Sequence, residues 1–253
     1  MIENVNNLFG FYRETGSCPS VSFTETLQFS VVSGAENSWP QLVFDIDFRG
    51  NAVRELNHIL TQTVNRKLPA FAVCNAALFG EKELDYLRQN EIYPVKFWTL
   101  MHAFPQSMPQ DPNGQQSKKT EFRKLLTAAE LEEFTALVNA EFIQNAPLSV
   151  SLTKELNAKV GVGLYGLFVD GKLVSGLQTF SNNQTTGLYF IATNSNYRCR
   201  GFATELIRQV MGTCRKNSRE LVLQAVQKAV PLYQRLGFTK EGKLVIFWKK
   251  ENI

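Results

Sequence analysis

The chain has 253 residues, 44% hydrophobic and 20% charged, a balance expected of an ordinary globular protein and not of a disordered or fibrous one. Its net charge of +4 is small and its Lys and Arg residues are dispersed, so nucleic acid is not an expected partner. No apolar run approaches the length of a membrane span, and the opening Met1–Asn6 lacks a basic segment followed by an apolar block. With four scattered cysteines and no Cys-x-x-Cys pair, the expectation is a cytoplasmic protein with reduced thiols and no membrane partner. Only His58 and His102 are present, both in the first half, which excludes a Ser-His-Asp triad or a histidine-rich metal site from the second half; no metal is expected.

In chain order, Phe23, Leu27 and Phe29 alternate as in a strand, and Leu42–Ile46 reads as another. Ala52–Thr63 carries Val53, Leu56, Ile59 and Leu60 on one helical face. Ala70–Val73 is a strand, Glu81–Gln89 a helix and Lys96–Met101 a strand. Pro105–Ser117 is rich in Pro, Gln, Ser and Gly, which places a linker over 105–118 between segments 1–104 and 119–253.

After the linker, Glu121–Leu126 reads as a strand, and Thr127 with Glu130 forms a capping box that opens a helix to about Ile143. A second helix follows around Leu152–Val160. Leu164–Phe168 and Leu173–Phe180 flank Asp170-Gly171, a two-residue hairpin signal. The strand Leu188–Ala192 runs into Arg198-Cys199-Arg200-Gly201-Phe202-Ala203, and a helix follows with Ala203, Leu206, Ile207, Val210, Met211 and Cys214 on one stripe. Strand, glycine turn and helix start together make an anion cradle of backbone N–H groups at a positive helix end. The glycine pattern fits neither a dinucleotide fingerprint nor a Gly-Lys-Ser/Thr loop. Leu221–Val226 is a strand, Lys228–Phe238 a short helix closed by Gly237, and Leu244–Trp248 a last strand.

Two motifs in this second half carry a family resemblance. Arg198, Gly201 and Ala203 match the pattern Arg/Gln-x-x-Gly-x-Gly/Ala, and Ala229, Leu232, Tyr233, Leu236, Gly237 and Phe238 match Ala-x-x-Leu-Tyr-x-x-Leu-Gly-Phe. Segment 119–253 thereby resembles the GNAT-type N-acetyltransferases. The resemblance implies an α+β fold, with a mixed, mostly antiparallel central sheet flanked by helices. The N-terminal α/β segment echoes the strand–helix–strand order without a phosphate loop, and is expected to be a degenerate copy of the same fold.

The resemblance further implies that acetyl-CoA is the cosubstrate. Arg198, Cys199, Arg200, Gly201, Phe202, Ala203 and Thr204 would hold its pyrophosphate, while the backbone of Phe190, Ile191, Ala192 and Thr193 would align its pantetheine arm. Tyr233 is the candidate general acid for the departing thiolate, against the alternative of a core aromatic. The chain departs from the family at Val226, where an asparagine is frequent, and in the absence of an acidic residue from Leu188–Ala192. The base is left open among Glu141, Tyr189 and a water chain. The leading expectation is acetyl transfer to a small-molecule or peptide amine by a monomer or homodimer. The alternative is a non-catalytic acyl-CoA-binding sensor or interaction protein.

Overall fold

A computed structural model describes residues 1–35, 38–106, 120–142, 146–214 and 219–250. Most of the expected linker, residues 107–118, lies outside them. In chain order the elements are α1 (Ile2–Gly16), β1 (Ser22–Glu25), β2 (Ser30–Ser33), β3 (Gln41–Phe44), α2 (Ala52–Asn65), β4 (Phe71–Asn75), α3 (Glu81–Gln89) and β5 (Ile92–Ala103). After residue 119 come β6 (Thr120–Lys124), α4 (Ala128–Glu141), α5 (Val150–Asn157), β7 (Val162–Val169), β8 (Lys172–Ser181), β9 (Thr185–Thr193), α6 (Phe202–Cys214), β10 (Glu220–Ala225), α7 (Val230–Arg235) and β11 (Thr239–Lys249). The second half therefore has the expected order of a strand, two helices, three strands and alternating helices and strands.

Local chemistry accounts for these boundaries. The hydroxyl of Thr127 accepts the Glu130 N–H at 3.3 Å, and the Glu130 carboxylate accepts the Thr127 N–H at 2.9 Å, so the capping box forms in full. These backbone hydrogen bonds hold the Glu130 carboxyl below its usual pKa. Asp170 and Gly171 both take positive φ, as a tight hairpin turn between β7 and β8 requires. Gly237 ends α7 at φ 90°. The expected strand through Phe23–Phe29 is instead split into β1 and β2 by a turn at Leu27, whose side chain is exposed.

All strands form one sheet in the order β1-β2-β3-β4-β11-β5-β10-β9-β8-β7-β6. Among the described residues only β3–β4 and β9–β10 are parallel, so the sheet is mixed and mostly antiparallel, as expected. The two segments interleave at its centre: β11, from the second, lies between β4 and β5, while β5, from the first, lies between β11 and β10. The β5–β11 register reads the same from either strand. Around Leu244/Trp98, the pair Lys243/Thr99 is mirrored by Val245/Phe97, and Thr239/His102 by Trp248/Tyr93.

The sequence patterning did not reveal α1, because its buried face mixes Leu8, Phe11 and Tyr12 with the polar Asn4, Asn7 and Thr15. This helix lies on the face of the sheet shared with α4 and α5. There Phe11 stacks on Tyr189 at 4.3 Å, and Asn7 accepts a 2.6 Å hydrogen bond from the Tyr189 hydroxyl. The core on the other face is built by Leu206, Ile207 and Val210 of α6, Tyr233 of α7 and Phe238 just after it. Among the described residues, no helix is long and apolar enough to cross a membrane.

Candidate active site

Strands β9 and β10 pair only at Thr185/Glu220, Thr186/Leu221 and Gly187/Val222. Beyond Gly187 and Val222 they part, leaving the β10-facing edge of Leu188–Thr193 unpaired and opening a fork at the carboxyl ends of two parallel strands. Such a break is where open α/β sheets receive ligands. A bulge accentuates the divergence: Tyr189 pairs with Gln178 and Ala192 with Gly176, so Phe190 and Ile191 span one extra position, and Phe190 takes φ 47°.

The loop from β9 into α6 closes one side of the fork. Cys199 (φ 61°) and Gly201 (φ 83°) turn the chain sharply so that the first turn of α6 points its N–H groups at the fork mouth. A Cβ placed on Gly201 meets nothing within 4 Å, so its backbone conformation, not crowding, calls for glycine. A cavity of about 320 Å³ occupies this place. Of the residues expected at the site, Thr193, Arg198, Cys199, Gly201, Phe202, Ala203 and Thr204 line it. Tyr197, Leu232 and Arg235 complete the wall. The last two come from α7, and their approach to the loop depends on how that helix packs, which no spacing in the sequence reports.

The other expected residues, Arg200, Phe190, Ile191, Ala192 and Tyr233, are not among those that line the cavity. Arg200 turns its guanidinium over the Tyr197 ring, 5.6 Å from the centroid. Phe190 packs on the opposite face of the sheet, edge-on to Trp39 at 5.0 Å. Ile191 packs with the α6 core and Ala192 is buried, so these two meet the fork through their backbone. Tyr233, next to Leu232, is 8% exposed and packs edge-on to Phe238 at 5.9 Å. Burial pushes its phenol up to about 12, so the hydroxyl stays protonated at neutral pH.

Both side chains considered as a base are engaged elsewhere. Glu141, at the end of α4, forms an ion pair with Arg198 and accepts the Ser195 N–H at 2.8 Å. Arg198 also reaches the Thr193 carbonyl through Nε at 3.3 Å. The pair therefore clamps the cradle loop to α4 and β9. Tyr189 donates its hydroxyl to Asn7, and burial raises its pKa well above the ordinary value. Among the described residues, no group of three His, Cys, Asp or Glu side chains is arranged to hold a metal ion.

Residues 121–238 match the model of the acetyltransferase (GNAT) family. No curated protein sequence matches the chain. The fold is similar to that of a GCN5-related N-acetyltransferase from Kribbella flavida at 13% identity and a TM-score of 0.66, with 97% of this chain and 96% of that one covered. A GCN5-related N-acetyltransferase from Sphaerobacter thermophilus is similar at 17% identity and a TM-score of 0.66, covering 92% and 83%. A functionally unknown conserved protein from Staphylococcus epidermidis aligns with a TM-score of 0.68 at 12% identity, over 91% and 93%. These alignments extend across both halves and establish similarity of fold.

Proposed function

We propose that the protein, whose residues 121–238 match the model of the acetyltransferase (GNAT) family, binds acetyl-CoA in the β9/β10 fork and transfers the acetyl group directly to an amine. The observation that carries this reading is the coincidence of a parallel-strand fork with a helix N-terminus in one cavity of about 320 Å³. The cradle suits a pyrophosphate. Its helix end and Arg235 favour negative charge, Gly201 leaves open space, and Thr204 adds a hydroxyl. The unpaired edge of β9 offers backbone donors and acceptors to the amide-bearing arm of the cosubstrate.

Tyr233 acts as the proton-bearing group toward the departing sulfur. A thiol ionises near 8.5, so full transfer from a phenol at about 12 would be uphill by roughly 5 kcal/mol against a solvated thiolate. A dry fork raises the sulfur's own pKa and narrows that gap. The phenol therefore stabilises the thiolate chiefly by donating a hydrogen bond as charge develops. With Glu141 and Tyr189 committed, the amine loses its proton through water. The acceptor is a small-molecule or peptide amine.

The engagement of both side-chain bases, with Val226 where the family often has asparagine, favours one second reading: an acyl-CoA-binding protein without turnover. Calorimetric titration of acetyl-CoA into the wild type and an Arg198→Ala/Gly201→Glu variant tests the cradle. Binding lost in the variant supports it, and equal binding in both refutes it. Acetylation of any member of an amine panel then separates enzyme from sensor. Residues 1–104 are read as a degenerate copy of the same fold. The reading is supported by the symmetric β5–β11 register and by a second parallel pair, β3–β4.

A further inference from the structure

Strands β3 and β4 share parallel register only at Val43/Ala72 and then part, as β9 and β10 do. Successive antiparallel pairing through β4, β11, β5 and β10 makes β4 and β10 run in opposite directions. The two forks therefore open at opposite ends of the sheet, and whatever enters one does not reach the other through the fork mouth.

A cavity of about 250 Å³ fills the first fork. Ile46 and Phe48 line it beyond β3, Cys74 and Leu78 line it at the end of β4, and Val5 and Phe9 cover it from α1. Its volume exceeds the roughly 150 Å³ of an apolar cavity that accepts a benzene ring. Asn75 also lines it. The Asn75 Oδ1 accepts the Ala77 N–H at 3.0 Å, so its amide NH2 is the group left to meet a ligand.

Anions are disfavoured by what stands at the start of α2. Arg49-Gly50-Asn51-Ala52 repeats the Arg-Gly-x-Ala spacing of Arg200–Ala203 immediately ahead of a helix. Here, however, the protein's own side chains take two of the N–H groups. The Glu55 carboxylate accepts the Arg49 N–H at 3.1 Å and the Gln28 amide at 3.2 Å, and Asn51 accepts the Arg54 N–H at 3.0 Å. Asp47 pairs with Arg49 and Asp45 with Arg13, which uses the nearby positive charge. A phosphate arriving there would meet three carboxylates.

We propose that the β3/β4 fork is a binding site for an uncharged, apolar ligand of one or two fused rings carrying one hydrogen-bond acceptor, separate from the acetyl-CoA cradle. The apolar body fills the space under α1, and the acceptor meets the Asn75 amide.

The test is titration of the full chain with 6-propionyl-2-(dimethylamino)naphthalene, a neutral two-ring ketone whose emission shifts to the blue in apolar surroundings. The expected result is saturable single-site binding that excess acetyl-CoA does not displace. Leu78→Arg, at an exposed rim position, and Val5→Trp, which fills the cavity, should each weaken it at least tenfold, while Gly201→Glu leaves it within twofold. Circular dichroism melting checks the fold of each variant, and Leu78→Arg decides if Val5→Trp does not fold. Absence of saturable binding, displacement by acetyl-CoA, or unchanged binding in Leu78→Arg would overturn the proposal. Loss of acetyl-CoA binding in Gly201→Glu with the ketone retained reports on the cradle alone, so the two readings fail separately.

Discussion

Replacing Asn7 by alanine tests whether α1 is held on the second half of the chain by a polar contact within the core. The Asn7 side chain is fully buried. It accepts from the Tyr189 hydroxyl at 2.6 Å and donates to the Thr185 hydroxyl at 2.9 Å, with longer contacts to the Phe180 and Thr185 carbonyls at 3.3 and 3.4 Å. Truncation leaves the buried Tyr189 hydroxyl without its acceptor, costing about 2 kcal/mol, and removes a second good hydrogen bond at about 1 kcal/mol. The expected loss is about 3 kcal/mol, or about 6–12 °C in Tm for a chain of this size. Urea unfolding followed by circular dichroism measures it. Adding Tyr189→Phe removes the orphaned hydroxyl, so the double variant should recover about 1–2 kcal/mol relative to the sum of the singles. A loss below about 1 kcal/mol in Asn7→Ala, or strict additivity, would show that the buried bond does not hold α1.

Three further outcomes are expected. Tyr233→Phe should lower kcat by about 10- to 100-fold with little change in KM for acetyl-CoA, since a hydrogen bond to developing charge is worth about 1.5–3 kcal/mol; CoA release with an amine from the panel measures this, and a change within twofold would count against the phenol. Because burial raises the Tyr233 phenol to about 12, its contribution to stability is complete below about pH 10, where the unfolded phenol ionises, and is lost as pH rises toward 12. Unfolding midpoints across that window should therefore fall less steeply in Tyr233→Phe than in the wild type. Glu141→Ala should weaken acetyl-CoA binding about 5- to 10-fold by freeing the cradle loop from α4, while Glu132→Ala, on the exposed side of the same helix, leaves calorimetric affinity unchanged.

The local elements of the second half were legible residue by residue. Thr127 and Glu130 announce a helix start, Asp170-Gly171 a hairpin, and Gly201 ahead of a periodic apolar stripe a cradle. Each acts within a few positions of itself, where backbone geometry and side-chain reach are set by covalent spacing. The helix α1 escaped notice because a periodic reading counts apolar residues, and Asn4 and Asn7 are buried through hydrogen bonds to strands far away in the chain. Glu141 and Tyr189 looked available for proton transfer because their partners, Arg198 and Asn7, are neighbours only in the folded chain.

The amino-acid sequence by itself determined the order of helices and strands after residue 119, the glycine turn ahead of α6 and the place of Tyr233 in α7, since these follow from short-range patterns. Tertiary structure alone decided the rest. A β-strand exposes the same backbone groups to any neighbour, so nothing local in β5 or β11 selects the partner that inserts each into the other segment's half of the sheet. That exchange made one sheet with two forks opening at opposite ends. Packing then brought Leu232 and Arg235 to one fork and α1 over the other.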